Sequence, residues 1–215
     1  MSETLGKMEK PEAANFKLGR KLAFVPIIFL LVDDTDTELT SLVKRYWTEA
    51  AEQIDKLAST LDRVKKVYHE LVPAGEAGLT AIEKIGIGSY DLVKTITERG
   101  ATLEETEDSE ILAEFLDWGH CLSLRLESPK VFNEIYTNYA QAQQKRNEAI
   151  SHKIDESLKN DEFGLVLLRE EHHVQFPSDI QVFYVAPPAL DALTRYMRDL
   201  LGKTPPETET ATGGI

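Results

Sequence analysis

Cysteine is almost missing from this chain: Cys121 is the only one in 215 residues. An intrachain disulfide and any zinc cluster built on thiolates are therefore excluded. Cys121 stands in an apolar helical stretch, Leu116 to Leu126. A reactive thiol needs an accessible, electropositive setting, so this one reads as a packing residue. Positive charge is also scarce. There are 24 Lys and Arg against 37 Asp and Glu, a net charge of −13, and no basic block is longer than pairs such as Lys65-Lys66 or Lys145-Arg146. A surface of that sign repels phosphate backbones and anionic headgroups, which argues against nucleic-acid and membrane partners.

Long apolar runs are lacking too. The longest, Leu22 to Val32, falls well short of the roughly 20 residues a membrane-spanning helix needs. Preceded by Lys17, Arg20 and Lys21, it imitates the start of a signal peptide. It ends in Asp33-Asp34-Thr35-Asp36 rather than in a small-residue cleavage site, and a cytoplasmic buried strand is expected instead. Pro26 suits neither a helix interior nor a central ladder, so it is expected at a bulge or an unpaired edge. There is no internal repeat, no serine in a nucleophile elbow and no His-x-x-x-His. Gly86-Ile-Gly88-Ser89 imitates a phosphate-cradling turn, but it follows no expected strand and lacks a P-loop lysine. It reads as a linker with a serine cap.

Apolar residues make up 42% of the chain, enough for a sizeable core. The strongest pattern is a pair of apolar runs that each stop at ionisable residues. Leu22 to Val32 stops at Asp33-Asp34, and Phe163 to Leu168 stops at Arg169-Glu170-Glu171-His172-His173. Continuous apolar strands belong in sheets covered on both faces, mostly parallel ones. The expected architecture is helix-rich α/β, with a small, mostly parallel three-stranded sheet of residues 22–32, 163–169 and 180–185. An arm at 1–20 and a disordered tail at 203–215 should flank a single domain at 21–202.

Its middle, about 37–159, reads as a helical lobe. Asp34 or Asp36 can cap a helix whose stripe (Leu39, Val43, Tyr46, Ala50, Ile54, Leu57, Leu61, Val64, Tyr68, Leu71) keeps steps of three and four, predicting one helix over 37–72. Shorter helices are expected at 79–85, at 89–99 and from Ser109, a second long one at 129–159, and a last one at 189–201. Stripes that long exceed what a small sheet covers, so the two long helices are expected to pair or to drive homo-oligomerisation or partner binding. Tyr46, Trp47, Tyr136 and Tyr139 are the natural anchors.

Ligands bind beyond the carboxyl ends of strands in open parallel sheets. Asp33, Asp34, Glu170, Glu171, His172 and His173 would gather there. Carboxylates with imidazoles suit a divalent Zn²⁺, Mn²⁺ or Fe²⁺, for which Asp33, Glu171, His172 and His173 are the candidate ligands. Catalysis would fall to Asp33, Asp34, Glu171 and His173, and at least one of the two histidines should touch a carboxylate and hold its charge. Arg146 lies on the apolar stripe of its helix between Ala142 and Ile150. A charge there must be paired or must bind an anion, so it is expected to point to the same edge. Two function classes fit. One is a non-catalytic binding or regulatory protein that works through the helical lobe. The other is a metal-assisted hydrolase or lyase acting on a small anionic substrate held by Arg146. The lack of any catalytic motif favours the first.

Overall fold

Strand β1 (Arg20–Ile27) sends alternate side chains into two separate cores. Ala23, Val25 and Ile27 enter one, and Leu22 and Phe24 the other. Strand β4 (Phe163–Arg169) does the same with Phe163, Leu165 and Leu167 against Val166 and Leu168. Both faces of the sheet are thus covered, which is why these two runs are apolar without alternation. The computed structural model describes residues 18–29 and 36–203, and side chains through residue 200. The expected arm and tail, and Asp33 and Asp34, lie outside the described residues.

The sheet has five strands, all parallel, in the order β3-β2-β4-β1-β5. Strands β2 (Val64–His69) and β3 (Thr102–Glu104) were not expected, and β5 is Ile180–Tyr184. The α/β class holds, and the three-stranded count is corrected. Helix α1 (Thr37–Leu61) is capped by Asp36, whose carboxylate accepts from the Leu39 N–H at 2.9 Å. It does not run on to residue 72. Its spacing continues through Val64, Val67 and Tyr68, but those residues are β-branched and aromatic and are buried on both faces of the sheet. The chain turns extended at Asp62 and crosses to β2 with no glycine or proline to mark the change. Burial in the sheet outweighs a helical periodicity that costs nothing to abandon.

Helices α2 (Gly75–Ile85), α3 (Tyr90–Glu98) and α6 (Pro188–Lys203) lie with α1 on one face of the sheet. On the other lie the carboxyl-terminal half of α5 (Pro129–Ser157) and the segment that crosses from β4 to β5. The two long helices therefore sit on opposite faces and cannot pair as expected. Tyr46 and Trp47 are buried, with the Tyr46 hydroxyl donating to the Pro26 carbonyl at 2.6 Å and the Trp47 indole to the Ile87 carbonyl at 2.8 Å. Pro26 is tolerated because β5 has ended at Tyr184, opposite Phe24, so nothing there needs its missing N–H.

Helix α4 (Ser109–Leu122), capped by Asp108, pairs instead with the first half of α5. Along α4 only Phe115 is buried, and α5 buries nothing before Ala142. At about 1.5 Å per residue, this leaves an antiparallel hairpin reaching well past the sheet. The expected helical lobe exists, but it is α4 with the first half of α5.

Candidate functional site

The carboxyl edge of the sheet carries a buried polar network, built from the ends of three strands and one helix. Glu70 follows β2, Thr106 and Glu107 follow β3, Arg169 ends β4, and Arg146 comes down from α5. The Arg146 guanidinium donates to both Glu107 carboxylate oxygens and, through Nη2, to Glu70 Oε2 at 2.9 Å. Its Cζ lies 4.9 Å from the centre of the Phe115 ring. Glu70 Oε1 accepts the Arg169 N–H at 2.8 Å, and Glu107 Oε1 accepts the Leu71 N–H at 2.8 Å. Burial opposes the charge on Arg146, but the bonds and charges of Glu107 and Glu70 more than reverse this and hold its pKa above the ordinary value.

Leu71 sits in the left-handed region at φ +66°, a conformation leucine rarely adopts. The Glu107 carboxylate pins that turn. The network thus holds the chain where β2 leaves the sheet and fixes α5 where it departs for the hairpin. Among the described residues, every buried side-chain nitrogen and oxygen has a hydrogen-bond partner. Arg146 points to the carboxyl edge as expected. Its partners are Glu70 and Glu107, and the pairing is complete without an anion.

A second buried group adjoins it. His69 Nε2 lies 3.0 Å from Ser89 Oγ, and Nδ1 lies 2.7 Å from the Glu70 carbonyl. The His69 N–H donates to Thr106 Oγ1 at 3.0 Å. Burial pushes the His69 pKa down, against the opposing pull of the Glu70 carbonyl and the two carboxylates. The residue is therefore a neutral strut between β2, β3 and the start of α3. Ser89 gives its hydroxyl to His69, and α3 starts without a side-chain cap. Gly88, at φ +83°, lies under Trp47, where a Cβ would sit 2.6 Å from the indole. Gly86, at φ +71°, closes α2 in the left-handed region, so the two glycines serve a helix end and the packing of Trp47.

The run Glu170 to His173 does not form one cluster. The His172 N–H bonds the Arg169 carbonyl at 3.1 Å, turning the chain so that successive side chains diverge. Glu170 accepts the Tyr184 hydroxyl at 2.9 Å, and Glu171 is exposed. His172 enters the core edge-on to Phe24 at 4.6 Å, and its Nδ1 accepts the Val174 N–H at 3.2 Å. Burial lowers its pKa, with Glu70 opposing and His173 assisting. The expected charged histidine on a carboxylate is therefore corrected for His172, because its ring buys burial against aromatics instead. His173 faces a groove of about 590 Å³ lined by Gln144, Asn147, Ser151, Asp155 and Gln175. Among the described residues, no three His, Cys, Asp or Glu side chains come close enough to hold a metal.

Sequence reasoning missed His69, Glu70 and Glu107. The available signal was their position just beyond β-branched or acidic segments, legible only once β2 and β3 are known as strands. No family model, no curated protein and no solved structure matches this chain. No helix among the described residues is long and apolar enough to cross a membrane.

Proposed function

We propose that the protein is a non-catalytic binding protein whose working surface is the α4–α5 hairpin. The observation that carries this reading is where exposed apolar surface collects. Among the described residues, Leu116, Leu124, Val131, Phe132 and Tyr136 are five of the eleven large hydrophobic residues found exposed, and all five lie on the hairpin. Phe132 and Tyr136 stack along one side of α5 at 6.3 Å. Contiguous exposed apolar surface marks a binding site, and aromatics are enriched in interface cores. The buried network at its root gives the hairpin a fixed mounting.

The hairpin also carries Glu110, Glu114, Asp117, Glu127 and Glu134 against Arg125 and Lys130. The partner that fits is therefore a protein presenting an apolar stripe flanked by basic residues, as an amphipathic helix does. The test is a photoreactive residue at position 132 in the full chain, irradiated in its native cells. A discrete adduct with another protein, competed by wild-type chain but not by a Leu116→Asp, Phe132→Asp variant, is the expected result. An adduct pattern no different from that of a probe at exposed Glu83 on α2 would contradict it.

A further inference from the structure

The two edges of the sheet are built differently. β3 is three residues long and ends in Glu104, which pairs with Lys66 of β2. A short, charged edge of this kind resists pairing with other strands. β5 reads Ile180-Gln-Val-Phe-Tyr184, with no charge, proline or glycine, and its ladder to β1 runs without a register shift. Within the strand itself there is no charge, proline or bulge to protect this edge. Val182 and Tyr184 are 43% and 50% exposed.

The backbone directions follow from one hydrogen bond. The Val185 N–H donates to the Phe24 carbonyl at 2.8 Å, so the peptide groups of residues 181, 183 and 185 face β1. Those of Val182 and Tyr184 face away from the sheet, where no strand lies among the described residues. Both side chains stand on the same face as Phe24, whose ring lies 5.4 Å from Tyr184.

We propose that β5 docks a second copy of this chain, whose own β5 adds antiparallel across a two-fold axis at Phe183. In that register Val182 of each copy stands opposite Tyr184 of the other. Both residues turn their peptide groups outward, so each pair exchanges both backbone bonds and no outward group of the two residues is left over. The facing side chains form a β-branched–aromatic cross-strand pair, a favourable combination. Neighbouring registers do worse. An axis at Val182 sets Tyr184 against Ile180, whose N–H is already given to the Pro177 carbonyl at 3.0 Å. An axis at Tyr184 sets Val182 against Ala186, beyond the end of the strand. A second copy is favoured over a different partner because the strand is complementary to itself. It is also uncharged, so a chain of net charge −13 can close on itself there without setting acid against acid within the strand.

The test is sedimentation of the full chain across micromolar concentrations, with a mass twice the 24.2 kDa of one chain expected at the upper end. Val182→Lys places a charge on the edge, and Val182→Pro removes only an outward donor; both should sediment as folded monomers. In a Cys121→Ser background, Phe183→Cys should cross-link under mild oxidation. The axis there holds the two Cα atoms about 4.5 Å apart, within disulfide reach. Gln181→Cys should stay reduced, since in this register it faces Val185 and not itself. Should Phe183→Cys fail to fold, the two Val182 variants decide the matter. A wild-type chain that stays monomeric throughout would overturn the proposal, as would a dimer that survives both Val182 variants. Dispersal by Leu116→Asp with Phe132→Asp would also overturn it, and so would cross-linking at 181 instead of 183.

Discussion

Replacing Arg146 with methionine tests whether the carboxyl-edge network is structural. Methionine keeps the packing under Phe115 but removes every bond to Glu107 and Glu70. Two buried carboxylates then face each other without their shared cation. Breaking a buried ion pair by deleting one partner costs about 3–5 kcal/mol, against at most about 1 kcal/mol for an exposed pair. A chain of this length loses roughly 2–4 °C per kcal/mol, so the melting temperature should fall by roughly 6–20 °C. The two acids are not equally abandoned. Glu70 keeps the Arg169 N–H and Nε, whereas Glu107 keeps only the Leu71 N–H. Adding Glu107→Gln to Arg146→Met should therefore recover more stability than adding Glu70→Gln, and the triple variant more than either. Calorimetry on the five proteins measures this. A loss below about 1 kcal/mol for Arg146→Met, or equal rescue by the two glutamines, would refute the reasoning.

Other perturbations follow from the same geometry. His69 and His172 both have folded pKa values held below the ordinary histidine value. The unfolded chain then takes up protons first, so their contribution is present above pH ~6.5 and is lost as pH falls through the depressed folded values. Denaturant midpoints should drop on acidification, and His172→Ala should lose more stability at pH 8 than at pH 5.5; the reverse order would show that His172 is charged in the fold. Gly88→Ala forces a Cβ into the Trp47 ring at a positive φ, and should cost about 2–4 kcal/mol with a shift in tryptophan emission; near-wild-type stability would show that the turn relaxes freely. Elemental analysis of protein purified without added metal or chelator should find no stoichiometric Zn, Mn or Fe. Metal lost on His173→Ala would move the site to the sheet edge and favour the metal-assisted reading, with Asp33, Asp34 and Glu171 beside it.

How much of this was legible depended on whether the local signal had a competitor. Phe163 to Arg169 announced itself as a strand because no helical spacing fits six apolar residues in a row, and β4 has those bounds. α4 and α5 start at Ser109 and Pro129 as expected, and the structure shows Asp108 and Ser128 as their side-chain caps. β2 was invisible because Val64, Val67 and Tyr68 continue the helix stripe of α1 and fit a two-faced buried strand equally well. With β2 read as helix, the charge on Arg146 could be recognised as buried but its partners could not be named. The histidines failed for another reason. Only a continued strand would set alternate residues past Arg169 on one face, and the turn closed by the His172 N–H sends each side chain its own way.

The central claim is that the carboxyl-edge network holds the fold and the hairpin does the binding. The most direct measurement compares partner adducts from the probe at position 132 in two folded proteins. One carries Arg146→Met, Glu70→Gln and Glu107→Gln; the other carries Leu116→Asp and Tyr136→Asp, outside the probe position. The first should retain the adduct and the second should lose it. Loss of the adduct in the first with retention in the second would contradict the account and place the working surface at the sheet edge.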